Sequence, residues 1–333
     1  PAALQIAEQD ITKSKFSRKE WDMNTEMLLE LLETWGLADI SCVEPIPSYW
    51  AGATSIRMNS GERFVLKKVG LEKDLNREVK LLGWLEKREI PAATVMEACS
   101  GEYYAEWDKH RYVLYSWLNG AVVDEHYGPG CQNRAKDFGI AIGRLHRALA
   151  EWEYENELDI VDLIGQIQTC ILKISKSDED QLECNEIISI AEKCIRELKN
   201  LRQPLPCQWI HRDIHPGNML FASGKLTGII DFDLLQIAPR IFDPCYCSTS
   251  ILISGWQNSE NRNSWPELLS CLLAGYNEFI ELTDPERESM CCVLCAIEIF
   301  FITFSIGRRE IDQAISNLEV LFWLHQNRKS IGL

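Results

Sequence analysis

Residues 209–221 read Trp209-Ile210-His211-Arg212-Asp213-Ile214-His215-Pro216-Gly217-Asn218-Met219-Leu220-Phe221. After a short turn the chain continues Gly228-Ile229-Ile230-Asp231-Phe232-Asp233. An apolar lead-in delivers a histidine and an aspartate. An asparagine follows five residues after that aspartate, and a hairpin-length gap then leads through a second apolar strand to another aspartate. Phosphoryl transfer needs this layout: one carboxylate beside an incoming hydroxyl, an amide and a second carboxylate to hold Mg2+ against ATP phosphates. The spacing makes Asp213 the candidate general base. Asn218 and Asp231 are the candidate metal ligands, since Mg2+ takes hard oxygen donors and borrows phosphates and water for the rest. His211 reads as a residue that holds the loop backbone. A metal site built on His-x-Asp-x-His is the competing reading, but Pro216-Gly217-Asn218 interrupts a strand there and no further histidine cluster accompanies it.

Such a site also needs a cation for the nucleotide phosphates. Arg63-Phe64-Val65-Leu66-Lys67-Lys68-Val69 offers one on a strand, and alternation lets only one of the two lysines face a cleft. Lys67 is the choice, with Lys68 as the alternative. Glu78, on a helix expected over 75–89 behind an Asp74 N-cap, is expected to hold the lysine. The turn at Gly52-Ala53-Thr54-Ser55 stands where phosphates would be covered; it has no G-x-G-x-x-G, but Thr54 and Ser55 offer hydroxyl and backbone donors. The segment around Tyr115 and Trp117 is the expected connector to the base of the nucleotide.

Around this centre the chain changes character. Helical spacing over 22–36 gives way to strand-like segments at 40–46, 54–58, 63–69, 103–107 and 112–115. Beyond Gly120 the pattern is helical, at 135–150, 160–173, 186–198, 266–279, 287–306 and 312–325, with a polar loop over 175–180. The expected fold class is α+β and bilobal: a nucleotide-binding lobe over 1–116 with a small antiparallel sheet, and a helical lobe over 117–333 with the catalytic loop and acceptor site.

The 333 residues suit two lobes, with 46% hydrophobic and 25% charged residues as in ordinary globular chains. A formal net charge of −16 argues against a broad nucleic-acid-binding surface. Acidic stretches such as 151–157 fit a cationic acceptor, or simply a solvated face. The 13 cysteines are read as thiols in a reducing cytoplasm. The apolar run 290–307 contains Glu298 and falls short of a membrane span, so it reads as a core helix, with no membrane partner expected.

With these residues assembled, the chain resembles the aminoglycoside phosphotransferase / choline kinase-like family of small-molecule kinases, which have the protein-kinase-like bilobal fold. Residues 63–69 and Glu78 look like its lysine strand and helix glutamate, and Trp117-Leu118-Asn119-Gly120 like the end of its hinge. Gly143-Arg144-Leu145-His146, His211–Asn218, Ile230-Asp231-Phe232 and Arg240-Ile241-Phe242-Asp243 match further motifs in order. The resemblance implies Asp213 as base, Asn218 and Asp231 as Mg2+ ligands, Lys67 as phosphate ligand and Asp243 as a brace for the active site. The implied cofactors are ATP, with GTP open, and Mg2+; the implied partner is a small-molecule hydroxyl acceptor. The sequence departs from the pattern in the nucleotide turn, at Arg212, where glycine is usual, and at Asp233, which replaces the glycine of Asp-Phe-Gly. Asp233 reads either as a second acidic group near the metals or as a loop carboxylate. A catalytically silent nucleotide-binding protein, for example of spore-coat type, and a protein kinase are the alternatives; the latter lacks an Ala-Pro-Glu segment.

Overall fold

The computed structural model describes residues 25–46, 53–154, 160–177, 182–329 and 331. Gly52, residues 22–24, 155–157 of the acidic stretch and 178–180 of the polar loop lie outside the described residues. In chain order the elements begin α1 (Thr25–Glu33), β1 (Ile40–Pro45), β2 (Ala53–Met58), β3 (Arg63–Val69), α2 (Leu75–Glu86), β4 (Ala105–Trp107) and β5 (His110–Ser116). There follow α3 (Cys131–Ala150), α4 (Leu163–Ile174), α5 (Cys184–Lys199), β6 (Cys207–Ile210), β7 (Met219–Ala222), β8 (Lys225–Ile229) and β9 (Gln236–Pro239). The chain ends in α6 (Phe242–Ser254), α7 (Ser259–Asn277), α8 (Asp284–Arg308) and α9 (Ile311–Gln326). This is the expected α+β class, an antiparallel sheet early and helices thereafter.

Two compact units divide the chain. The first contains the described residues up to Val123 together with Gly217–Asp233. Its sheet runs β1-β2-β3-β5-β4, antiparallel throughout. Strand alternation splits β3 into two faces. Leu66 packs with Leu28, Leu31, Leu32, Ile56 and Leu114 in a core under α1. Lys67 points the other way and shares its face with Val113 and Ala53, its register partners. Lys68 is exposed. Asp74 caps α2 as expected: its carboxylate accepts from the Arg77 backbone N–H at 3.0 Å, satisfying a donor that the helix start leaves open. Leu81 and Leu85 of α2 are almost fully buried, each contributing about 1.5–3 kcal/mol.

The first unit is discontinuous, in contrast to a single cut after residue 116. The reason is backbone pairing. Ala121 and Phe221 exchange two N–H···O=C bonds of 3.0 and 2.8 Å, and Ile229 N–H donates to Pro91 C=O at 2.8 Å. These bonds tie the β7–β8 hairpin to the end of the connector. Ser223 and Gly224, at φ 50° and 72°, make the two-residue turn between paired Ala222 and Lys225, the geometry that matches the strand twist. Gly120, at φ 146°, lies so close to Thr227, Leu220 and Phe221 that a β-carbon would strike the Thr227 hydroxyl. That explains the glycine of Trp-Leu-x-Gly.

The second unit, Asp124–Pro216 with Leu234–Leu333, holds the helices and the two-stranded ladder β6–β9. Helices α3 and α7 approach through glycine. A β-carbon on Gly139 would collide with the Leu272 carbonyl oxygen, and one on Gly275 with that of Lys136. Helix α8 starts from a capping box of Thr283 and Glu286 with Pro285 in the first turn. It is long and apolar enough to cross a membrane by length and composition, yet 72% of its most apolar stretch is buried. Two local expectations change. Helix α7 starts at Ser259, capped by Asn258, and runs through Pro266 instead of beginning there. Helix α6 was not expected at all. All thirteen cysteines are free, and seven are buried.

Candidate active site

The candidate residues fall into two groups, one in each unit. In the first unit β3 aims the Lys67 ammonium at two carboxylates, Asp231 Oδ1 and Asp233 Oδ2, each 2.8 Å away. A second ammonium joins them. Lys73 Nζ lies 2.6 Å from Asp233 Oδ1, 2.8 Å from Glu78 Oε2 and 3.1 Å from the Tyr115 hydroxyl. The Tyr115 hydroxyl in turn donates to Glu78 at 3.1 Å. Glu78 was expected to hold Lys67; the structure pairs it with Lys73 instead. Lys67 reaches past it to the aspartates. Both predicted residues thus sit in one charged cluster, with Lys73 as the unforeseen link. Lys73 follows Gly70 in a loop, where no periodicity marks a residue.

Burial alone would lower the pKa of Lys67, but Asp231 and Asp233 overcome it and the net shift is upward. Lys73 moves upward in the same way, against its burial, through Glu78 and Asp233. Burial opposes ionisation of Asp233 as well, yet the two lysines hold its carboxyl well below the usual carboxylate range. Burial and Glu78 together push the Tyr115 phenol well up. Asp231 and Asp233 remain about two-fifths open, at 39% and 40% side-chain exposure, so the cluster is accessible to a ligand.

Asp233 is therefore a lysine-binding carboxylate of the cluster. Asp231 sits at φ 68°, a left-handed conformation that aspartate tolerates better than most residues. Asn218 closes a 3₁₀ turn over Pro216–Asn218 and is buried; its carbonyl accepts from the Ile230 N–H at 3.1 Å, bringing the approaches to Asn218 and Asp231 together. Ser55 lies on the Lys67 face, in register with Val65, and accepts from Arg63 Nη2 at 3.3 Å. Thr54 is buried on the opposite face, in register with Leu66. The structure thus places Ser55 on the Lys67 face of the sheet and Thr54 on the other. Trp117 lies under the Arg63 guanidinium at 3.5 Å, and its backbone N–H donates to Arg63 C=O.

In the second unit the loop that carries Asp213 hangs on Asp243. Its Oδ1 accepts from the Arg212 N–H, and its Oδ2 from the His211 N–H and His146 Nε2, all at 2.9 Å. A carboxylate only accepts, so Nε2 of His146 carries the hydrogen; Nδ1 lies 3.0 Å from the Tyr276 hydroxyl. His211 Nδ1 accepts from the Asp213 N–H at 3.3 Å, the backbone-holding role expected of it. Asp213 is buried, and its Oδ1 accepts from the Tyr246 hydroxyl at 2.7 Å. Tyr246 was missed because α6, which carries it, was missed. Its ring stacks between Phe242 and Phe301, which fixes the hydroxyl. Arg240 braces Glu286 at the start of α8 with two bonds of 2.8 and 2.9 Å. Arg212 has φ 70°, so the position is one that glycine occupies freely and arginine at a cost.

Comparison with known proteins now decides the family. The model of the phosphotransferase enzyme family matches residues 43–286, well over half of the chain. The chain belongs to this family. It is 23% identical over 278 residues to a homoserine kinase of Phenylobacterium zucineum, covering 81% of this chain and 80% of that protein. It is 23% identical over 161 residues to a homoserine kinase of Zymomonas mobilis, a match spanning 42% of this chain and about half, 49%, of that protein. Among solved structures, amicoumacin kinase hAmiN in complex with AMP-PNP, Ca2+ and Ami superposes with TM-score 0.69 at 14% identity, covering 91% of this chain and 92% of that one. That likeness shows the shared fold. The protein is a small-molecule kinase of this family.

Proposed function

We propose that this kinase moves the γ-phosphoryl group of ATP, with Mg2+, to a hydroxyl of a small molecule, with Asp213 as the base. The carrying observation is the Asp213 side chain: buried, on a loop fixed by Asp243, with Oδ1 held by Tyr246. A carboxylate fixed in this way orients an acceptor hydroxyl without having to reorganise. Lys67 and Lys73 are the phosphate-binding cations of the proposal. The catalysis is positioning and electrostatics, with no covalent enzyme intermediate.

The donor set fits a divalent ion. Asp231 keeps Oδ2 without a hydrogen bond among the described residues while Lys67 holds Oδ1, and carboxylate and amide oxygens are what Mg2+ accepts. No group of three or more His, Cys, Asp or Glu residues forms a metal cage among the described residues. Asp231 and Asn218 would hold it, and it would supply charge neutralisation at the phosphates.

Amino alcohols, amino sugars and sugars form the acceptor class, and the names of the two relatives put homoserine first in a panel. The test is Mg2+-dependent ADP release with ATP and with GTP over that panel, beside Asp213→Asn. Acceptor-stimulated release that the variant loses supports the proposal. Nucleotide binding with no transfer to any small molecule, peptide or extract component would favour a catalytically silent protein.

A further inference from the structure

The residue before the proposed base carries a charge that forms no ion pair among the described residues. The Arg212 guanidinium carbon stands 3.6 Å from the centroid of the Phe242 ring and 5.7 Å from that of Phe300. Nη2 donates to Gln166 Oε1 at 2.7 Å, a neutral acceptor. Nη1 is buried and has no hydrogen-bond partner among the described residues. Arg212 also forms no ion pair among them; the nearby Asp243 spends its oxygens on backbone N–H groups and His146. Burial accordingly lowers the guanidinium pKa to about 10, with Asp243 and Tyr246 opposing the shift. Stacking on phenylalanine orients the guanidinium plane and leaves its edges for hydrogen bonds. A guanidinium with a buried Nη1 and no ion pair among the described residues, at a backbone position that favours glycine, is costly twice over, and one kind of ligand removes the electrostatic cost.

We propose that Arg212 is an acceptor-binding residue that pairs with a carboxylate, so that the acceptor is a hydroxy acid or hydroxy amino acid. This rests on the phosphotransferase reading above, because the carboxylate must lie on the molecule whose hydroxyl meets Asp213. A planar carboxylate matches the guanidinium fork with two parallel bonds. Gln166 on α4 and Phe242 on α6 set the orientation of the fork. A polycationic acceptor would meet a like charge one residue from the base, which disfavours it.

Matched acceptors test the inference: homoserine against 3-aminopropan-1-ol, and serine against ethanolamine, each pair differing only by the carboxylate. The carboxylated member is expected to have kcat/KM higher by roughly 100-fold or more. In Arg212→Gly, which suits the backbone at φ 70°, that preference collapses. Arg212→Lys keeps the charge without the fork and retains part of the preference, chiefly through a raised acceptor KM. Unchanged ATP affinity in both variants shows that they are folded. Equal turnover of the two members, or a preference that survives Arg212→Gly, overturns the inference. So does a panel in which no carboxylated member reacts. If another acceptor is then phosphorylated in an Asp213-dependent way, the phosphotransferase reading stands without this inference; if none is, both fall.

Discussion

The two groups of site residues are built on opposite principles. The cluster in the first unit is all charge: two lysines and three carboxylates, with both aspartates two-fifths open to solvent. Each ammonium bridges two carboxylates, so an incoming anionic ligand can exchange for one partner without stranding the others. The base loop in the second unit is instead buried and held by hydrogen bonds to one carboxylate, Asp243, with an aromatic stack fixing Tyr246. Its geometry leaves little to exchange. Nucleotide phosphates need adaptable charge, whereas a base needs a fixed oxygen. On the function proposed above, the two regions separate these demands.

Removing the brace should have the largest effect on stability. Asp243→Ala leaves the His211 and Arg212 N–H groups and His146 without their acceptor, at about 1–3 kcal/mol for each unsatisfied group, so a loss of roughly 3 kcal/mol or more is expected in denaturant unfolding. A loss below about 1 kcal/mol would mean that the loop is not held as described. In the charged cluster, Lys67→Met should raise the KM for ATP by about 10–100-fold, the worth of a charge-assisted bond. Lys73→Met should raise it less, since Lys73 also serves Glu78 and Tyr115 within the unit. Equal effects would erase the distinction between the two lysines.

Away from both groups, Gly139→Ala should cost about 1–3 kcal/mol through the collision with Leu272 while leaving the KM for ATP unchanged. A shifted KM would show that helix packing reaches the nucleotide residues. The smallest effect is one of pH. The Asp233 pKa is depressed in the fold, so its stabilising contribution is fully present above the usual carboxylate value and is lost as the pH falls below about 4. The stability difference between wild type and Asp233→Asn should therefore shrink from pH 5 toward pH 2. A constant difference would contradict the ion pairs with Lys67 and Lys73.

What could be read in advance followed local rules. Alternation along β3 required that only one of Lys67 and Lys68 face the carboxylates, and Asp74 was visible as a cap because it precedes an amphipathic run. Asp213, Asn218 and Asp231 were legible as a spaced set with the layout phosphoryl transfer needs, and the resemblance implied the same candidate roles. The unreadable parts are non-local. Helix α6 is buried on nearly every face, with Pro244 in its first turn, so it lacks the one-sided pattern that marks a helix, and Tyr246 went with it. Lys73 sits in a loop, and its partners lie up to 160 residues away. The assignment of the β7–β8 hairpin to the first unit depends on pairing at Ala121 and Pro91 that no local signal encodes.

The most direct test of the separation uses one preparation of Asp213→Asn and two measurements on it, ATP affinity and turnover with the best acceptor. General-base removal is worth about 10²–10⁴-fold in rate. The account predicts a loss of that size in kcat with ATP affinity unchanged. Retained turnover, or ATP affinity lost together with it, would contradict the assignment of the base to one group and the phosphates to the other.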